Sequence, residues 1–346
     1  MRVLFPFVRV VRAVGGLAIA LQSASAQRPL PIIDMHLHAH ALADYGGGGK
    51  VCLNTQPMLF PGVDPRRPIT LDRVLTCRTP LRSAATDDAV RTESIALLQR
   101  YNIWAVTSGS PERVATWRAA AGGRIIPAVS FASALPGARV PADFRRLIAD
   151  GRLAVFAEVS PQYDGRSLAD SVFEPFFALA EELDIPVGVH LGEGPPGGAH
   201  VLGDGTPSPY RVALTSPLQL EPVLIRHPKL RLYVMHFGSP LVDEMLALLY
   251  AHPQVYVDIA QNDWGFPRAH FYGQLRRLID AGFAQRIMWG SDQMVWPQAI
   301  TVALRTITDA PFLTAHQKRD ILYNNAARFL RLSPAEIAQH HGQPPL

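Results

Sequence analysis

His36 and His38 stand two apart at the end of the apolar run Pro31-Ile32-Ile33-Asp34-Met35-His36-Leu37-His38. Side chains two apart share one face of a strand. The two imidazoles therefore project together from backbone positions roughly 6–7 Å apart and can share one ion. Later apolar runs end in further candidates: Glu158, His190, His236 and Asp292. A lone charge in such a run is costly unless it is paired or metal-bound. His36, His38, His190 and Asp292 form a ligand set for one divalent ion, zinc first, with manganese, cobalt, nickel or iron as the other choices. Zinc brings the pKa of bound water to about 7. Asp292 is placed to take that proton and pass it on. His236 is either a further ligand or the group that polarises substrate or shuttles a proton. Glu158 either bridges two ions, with His190 and His236 on the second, or orients a ligating imidazole. No lysine ends its strand, which favours one ion over two.

These residues need a scaffold that gathers strand ends. After residue 85 the chain alternates between helical and extended patterns. Helices are expected over 87–100, 112–121, 142–149, 168–182, 218–225, 242–250 and 272–281. Apolar strands are expected at 104–107, 125–129, 154–159, 186–191, 232–236, 255–259 and 287–292. With the first strand this makes eight β segments, nearly continuous in apolar character, as in a parallel sheet covered by helices. The fold class is α/β, a closed (β/α)₈ TIM barrel whose active site lies at the C-terminal ends of the strands. An open doubly wound sheet is the alternative, but its glycine fingerprint is absent. Residues 315–330 read as a C-terminal helical extension and the polar remainder as a loose end.

Between the first strand and the first helix lies a long insertion, 39–85. Gly46–Gly49 and prolines 57, 61, 65, 68 and 80 oppose regular structure there. An insertion of this kind usually serves as a lid or binding loop. Lys50-Val51 after the glycines does not continue as a phosphate loop. Cys52 and Cys77, the two cysteines of the chain, can close a disulfide within it where the compartment is oxidising.

The amino terminus reads as a signal peptide over 1–26. Arg2, Arg9 and Arg12 precede a short apolar run, and Ala24-Ser25-Ala26 has the small-x-small form of a cleavage site. A membrane anchor is the alternative, but the run falls short of the roughly 20 residues that span a bilayer. The mature chain, 27–346, is then one barrel domain, exported to the periplasm or the extracellular space. Removing three arginines and no acid takes the net charge from +4 to +1, so no basic stripe remains to bind nucleic acid. A small-molecule substrate is expected, with no stable membrane insertion of the mature chain; a homo-oligomer is compatible with the sequence.

Other polar groups have weaker claims. His40, Tyr163, Arg211, Trp264 and Trp296 fall on or near strand-to-helix loops and are candidates for substrate contact or ordinary loop packing. Asp34, one layer below His36, either orients a histidine or bonds to a neighbour. Asp258 faces substrate or caps a loop. His227 and His252, each before proline at a helix end, are expected to be structural. His200, His270, His316, His340 and His341 are expected at the surface.

In combination, Ile33-Asp34-Met35-His36-Leu37-His38, Val189-His190, Val234-Met235-His236-Phe237-Gly238, Met288-Trp289-Gly290-Ser291-Asp292 and Tyr323-Asn324-Asn325-Ala326-Ala327-Arg328-Phe329 resemble the amidohydrolase superfamily, in its amidohydrolase-related branch. The resemblance implies a distorted barrel with one or two divalent ions. It places His36, His38, His190 and Asp292 as ligands, His236 as ligand or catalytic group, and Glu158 where two-metal members carry lysine or glutamate. Members hydrolyse amides, lactones and esters, and some relatives decarboxylate or hydrate small acids. Hydrolysis of a C–N or C–O bond by a metal-activated water is the leading expectation and metal-dependent decarboxylation its rival. A metal-free glycosidase using Glu158 and Asp258, and a non-catalytic binding protein, are the remaining alternatives.

Overall fold

The computed structural model describes residues 29–131, 140–201 and 208–343; the expected signal segment lies outside them. Eight parallel strands run in sequence order around a barrel: β1 (Ile32–His38), β2 (Ile103–Ser108), β3 (Ile125–Phe131), β4 (Val155–Val159), β5 (Val187–His190), β6 (Leu232–Met235), β7 (Val255–Asp258) and β8 (Ile287–Met288). The helices between and after them are α1 (Asp87–Arg100), α2 (Pro111–Ala120), α3 (Pro141–Ala149), α4 (Glu174–Glu182), α5 (Glu221–Arg226), α6 (Val242–Ala251), α7 (Arg268–Asp280) and α8 (Ala299–Thr308). Local chemistry starts the helices: the Thr86 and Ser110 hydroxyls accept from Ala89 N and Arg113 N, capping α1 and α2. The fold is a (β/α)₈ barrel.

The seam between β8 and β1 shapes the site. β8 is two residues long, shorter than the expected 287–292, and the chain leaves the sheet at Trp289. Closure comes from Met35 N to Trp289 O at 3.0 Å, Asp292 N to His36 O at 2.7 Å and His38 N to Gln293 O at 3.3 Å. A Cβ on Gly290 would stand 2.7 Å from His36 Cβ, so only glycine lets the chain pass there.

On β1 the strict alternation of faces breaks. Ile33 and Met35 join the cluster inside the barrel, while Ile32 and Leu37 join the layer against the helices. The register against β2 slips between Asp34 and Leu37, and this irregular step turns His36 and His38 toward the site. Asp34 binds elsewhere than simple alternation suggests. One of its oxygens accepts from His36 N and Ser291 N, both at 2.9 Å, stapling β1 to the loop after β8. Burial raises its pKa to about 7 against the pull of those bonds.

The C-terminal extension closes the other end. Tyr323, Ala326 and Phe329 pack against Ile33, Val106 and Tyr233 from the barrel interior. The extension comprises α9 (Ala315–Arg319), a π-helical turn (Asp320–Asn324) and α10 (Asn325–Phe329). The segment expected as a loose end forms a helix, α11 (Pro334–His340), capped by Ser333. His340, expected at the surface, is buried and stacks on Trp104 at 4.0 Å, because α11 docks its apolar face on the barrel.

The insertion is pinned at several points. Asn54 N donates to Trp264 O and its amide to Asp263 O, both at 2.8 Å. Ala84 N donates to Val295 O at 3.1 Å and the Trp296 indole to Gly49 O at 3.2 Å. Cys52 and Cys77 are joined, with an S–S distance of 2.04 Å. A cross-link over 25 residues restricts the unfolded insertion by roughly 3 kcal/mol in the chain-entropy account. The C52S/C77S variant should therefore melt earlier and be cleaved faster within 39–85 in limited proteolysis; equal cleavage rates would show that the other anchors suffice. No helix among the described residues is long and apolar enough to cross a membrane.

Candidate metal centre

Five strand ends bring His36, His38, Glu158, His190, His236 and Asp292 together at one mouth of the barrel. All but Glu158, a tenth or so exposed, are buried. His36 Nε2 lies 3.1 Å from His38 Nε2. Asp292 Oδ1 is 3.0 Å from His38 Nε2 and 3.6 Å from His36 Nε2. Glu158 stands between two halves, with Oε2 3.4 Å from His38 Nε2 and Oε1 3.6 Å from His190 Nε2. His36, His38 and Glu158 form one group whose ligand atoms lie within 4.8 Å of one another, and Glu158, His190 and His236 form another. Atoms sharing one tetrahedral zinc ion stand roughly 3.3 Å apart, so these separations suit a common cation.

The far side of each ring explains why Nε2 faces inward. His36 Nδ1 meets Asp258 Oδ2 at 3.1 Å, His38 Nδ1 meets Ser108 Oγ at 2.7 Å, and His236 Nδ1 meets Ala260 O at 3.0 Å. Asp258 and the Ala260 carbonyl can only accept, so Nδ1 carries the proton and Nε2 the lone pair. His190 Nδ1 contacts the side-chain amide nitrogen of Gln162, while the amide oxygen is buried without a partner; the amide turned over would give Nδ1–H the acceptor that this tautomer requires. Four imidazoles thus present Nε2 to one space, and His236 Nε2 has no partner within the protein. Two bare lone pairs 3.1 Å apart repel unless a proton or metal ion lies between them. The residues fit a divalent ion.

The electrostatics agree. Burial pushes the Asp292 carboxyl up, but His36 and His38 outweigh it and hold it below its usual range. Burial likewise opposes ionisation of Glu158, and His190, His36 and His38 overcome it, leaving the group well below an ordinary glutamate. His36 is raised well above its ordinary value despite burial, because Asp292 and Asp258 face it. His190 falls to about 3 through burial and the neighbouring His236. Two charged carboxylates and a call for positive charge at His36 Nε2 describe a cation site.

The remaining candidates divide. Tyr163 Oη reaches His190 Nε2 at 3.1 Å, and His40 stacks on His38 at 4.4 Å with Asp44 beside it. Trp296 packs edge-on to Tyr45 at 5.6 Å. Trp264 is buried in loop packing, its indole donating to Ser291 O at 2.6 Å. The Arg211 guanidinium donates to Ser208 O and Tyr210 O, both at 2.7 Å, instead of facing the ligands. Ser108, Gln162 and Tyr45 also stand at the site, and nothing in their sequence neighbourhood marks them for it. Burial and the charges of Asp292 and Glu158 keep the Tyr45 hydroxyl protonated.

Asp258 is a positioning residue here: fully buried, it holds His36 through one oxygen while the other accepts from His236 N at 2.9 Å and Ala260 N at 3.1 Å. With both oxygens engaged, it offers no free nucleophile for the glycosidase alternative. Asp258→Asn should weaken metal binding by about 10- to 100-fold, read by competition with a chromophoric chelator. Undiminished affinity would mean that Asp258 does not orient His36.

A family model described as Amidohydrolase matches residues 33–332. No curated protein matches the chain. Among solved structures, an uncharacterised TIM-barrel protein from Bordetella bronchiseptica superposes with a TM-score of 0.57 at 17% identity, covering 91% of this chain and all of that one. A 5-carboxyvanillate decarboxylase from Sphingomonas paucimobilis gives 0.55 at 14% identity, over 88% of this chain and all of that one. A probable 2-pyrone-4,6-dicarboxylic acid hydrolase from Acinetobacter baumannii gives 0.54 at 14% identity, again over 88% and 100%. At such identities these likenesses speak to the fold, while the family model covers most of the chain. With the barrel and its clustered ligands in view, the chain belongs to the amidohydrolase family, a superfamily of metal-dependent enzymes.

Proposed function

We propose that this enzyme decarboxylates a small unsaturated or aromatic carboxylic acid, with hydrolysis of a C–O or C–N bond as the second reading. The observation that carries the first is a ligand cluster shielded from water and flanked by the rings of Tyr45, Tyr163 and His40. Loss of CO₂ spreads a localised carboxylate charge into the substrate, and a water-poor, ring-lined site favours that change. The fold neighbour named as a decarboxylase supports this order. The family description and the neighbour named as a hydrolase favour the second reading.

One divalent ion held by His36, His38, His190 and Asp292, or two with Glu158 between them and His236 on the second, would act as a Lewis acid on the substrate's carboxyl oxygen. Asp292, ionised beside His36 and His38, first takes a proton from an adjacent hydroxyl, of substrate in decarboxylation or of water in hydrolysis. It then delivers the proton: to the carbon that keeps the C–C electron pair as CO₂ leaves, or to the departing oxygen or nitrogen. The Tyr163 hydroxyl, kept protonated by burial and by the charges of Glu158 and Asp292, donates a hydrogen bond to a substrate oxygen.

Metal-loaded enzyme offered hydroxybenzoates, lactones, aryl esters and amides in D₂O or H₂¹⁸O separates the readings. Decarboxylation gives one CO₂ and one ring deuterium per product and no ¹⁸O. Hydrolysis gives one ¹⁸O per product and no CO₂. Neither signal across the panel would overturn the substrate class. We also infer that the enzyme works outside the cytoplasm; the 1–26 leader pattern and the Cys52–Cys77 bond support this.

A further inference from the structure

A cavity lies on the side of the insertion, separated from the ligand cluster by the rings of Tyr210 and Tyr163. It is a cleft of about 440 Å³, within the size range of small-molecule sites. Phe60 and Val74 from the insertion form one wall, Tyr210 and Val212 another, and Phe266 from the loop after β7 a third. The rings of Phe60 and Phe266 lie 6.3 Å apart, nearly parallel. Phe60 is 49% exposed and Val212 62%, so the cleft shows apolar surface to water.

Two tyrosines join it to the metal ligands. Tyr210 packs on Tyr163 at 5.7 Å, and the Tyr163 hydroxyl lies 3.1 Å from His190 Nε2. Gly194 N donates to Tyr210 Oη at 2.9 Å, fixing the ring on the cleft wall.

The charges along the cleft are one-sided. Among the described residues no lysine or arginine lines it, and its basic group, His200, is exposed at the rim. Arg211, next to Tyr210, has its guanidinium bound to two backbone carbonyls. The one carboxyl is Glu193, whose Oε1 accepts from Ser239 Oγ at 3.1 Å and whose Oε2 is buried without a partner. A second anion here would lose its water against Phe60, Phe266 and Val212 and gain no cation.

Resting on the reading of the metal centre given above, we propose that the substrate carries an uncharged apolar arm, aryl or alkyl, that lies in this cleft while its reacting carboxyl group faces the ligands. A second carboxylate on that arm is rejected. The insertion thus sets specificity as a fixed wall, through Phe60 and Val74.

Straight-chain hydroxamates of increasing length, from acetohydroxamate upward, and their ω-carboxylated counterparts test this by calorimetric titration of the metal-loaded chain. Affinity should rise about fourfold for each methylene that enters the cleft, then level off. The ω-carboxylate should bind at least about tenfold more weakly than the neutral probe of equal length. F60A and F266A should each shrink the ratio of long-probe to short-probe affinity, measured within one variant. A flat length series in the parent, an unchanged ratio in both phenylalanine variants with intact melting transitions, or equal binding of the carboxylated probe would overturn the proposal. Failure of acetohydroxamate itself to bind would overturn the metal-centre reading, and this proposal with it.

Discussion

Asp292→Asn should lower turnover by about 10²- to 10⁴-fold, the range that positioned proton transfer contributes, while far-UV circular dichroism and the melting transition stay close to the parent. Asparagine is the right substitution for a local reason. Asp292 sits at φ +44°, a region asparagine tolerates far better than most residues. Its backbone N–H donates to His36 O at 2.7 Å and helps close the barrel. Asparagine keeps that turn and that bond but cannot take a proton. Its side chain keeps one oxygen toward His36 and His38, so some metal can remain, and metal content should be measured on the same sample. Turnover within tenfold of the parent, with metal retained, would assign the proton transfer elsewhere, with Glu158 and His236 the next groups to replace.

The second large effect concerns the metal. Protein purified without chelator or nickel resin should carry about one or two divalent ions per chain by elemental mass spectrometry. The H36A/H38A variant should carry nearly none. The double change removes two of the four Nε2 donors and leaves Glu158 and Asp292 facing no imidazole on β1. The loss should exceed the roughly 10- to 100-fold that follows removal of an outer partner such as Asp258. A readout independent of turnover follows from linkage, because a ligand at a thousand times its Kd stabilises the fold by about 4 kcal/mol. Chelator should therefore lower the melting temperature of the parent and leave the variant unmoved. A parent that takes up neither zinc nor manganese would remove the basis for every role assigned to this cluster.

Hydrolysis is the leading expectation from sequence, whereas the function proposed above places decarboxylation first. The reason is physical. Residue types at strand ends identify a cation site and a proton carrier, and both reactions need both. What separates them is which carbon and which oxygen reach that site, and loops govern that. Residue type alone says least about loop residues. Arg211 is a candidate for substrate contact by type and position, yet its guanidinium closes onto Ser208 O and Tyr210 O. Trp264 is another such candidate, yet it is buried with its indole donating to Ser291 O. A guanidinium or an indole in an irregular segment has many partners within reach, and composition does not rank them.

Local patterns along the chain are enough to specify the barrel and the group of residues at its mouth. Period-two apolar runs, helical spacing between them and polar residues at the run ends are all local patterns, and burial of the apolar runs leaves few ways to arrange them. How those residues are tuned depends on contacts between distant parts of the folded chain. Asp258 reaches His36 across 222 positions of chain, Ser108 reaches His38 across 70, and Gln162 reaches His190 across 28. The irregular step on β1 that frees His36 and His38 from strict alternation arises from register against β2. The union of Phe60 with Phe266 joins the insertion to a loop two hundred residues away. Hydrogen-bond and ring partners are chosen by distance and angle in the folded chain, and no local periodicity carries that information.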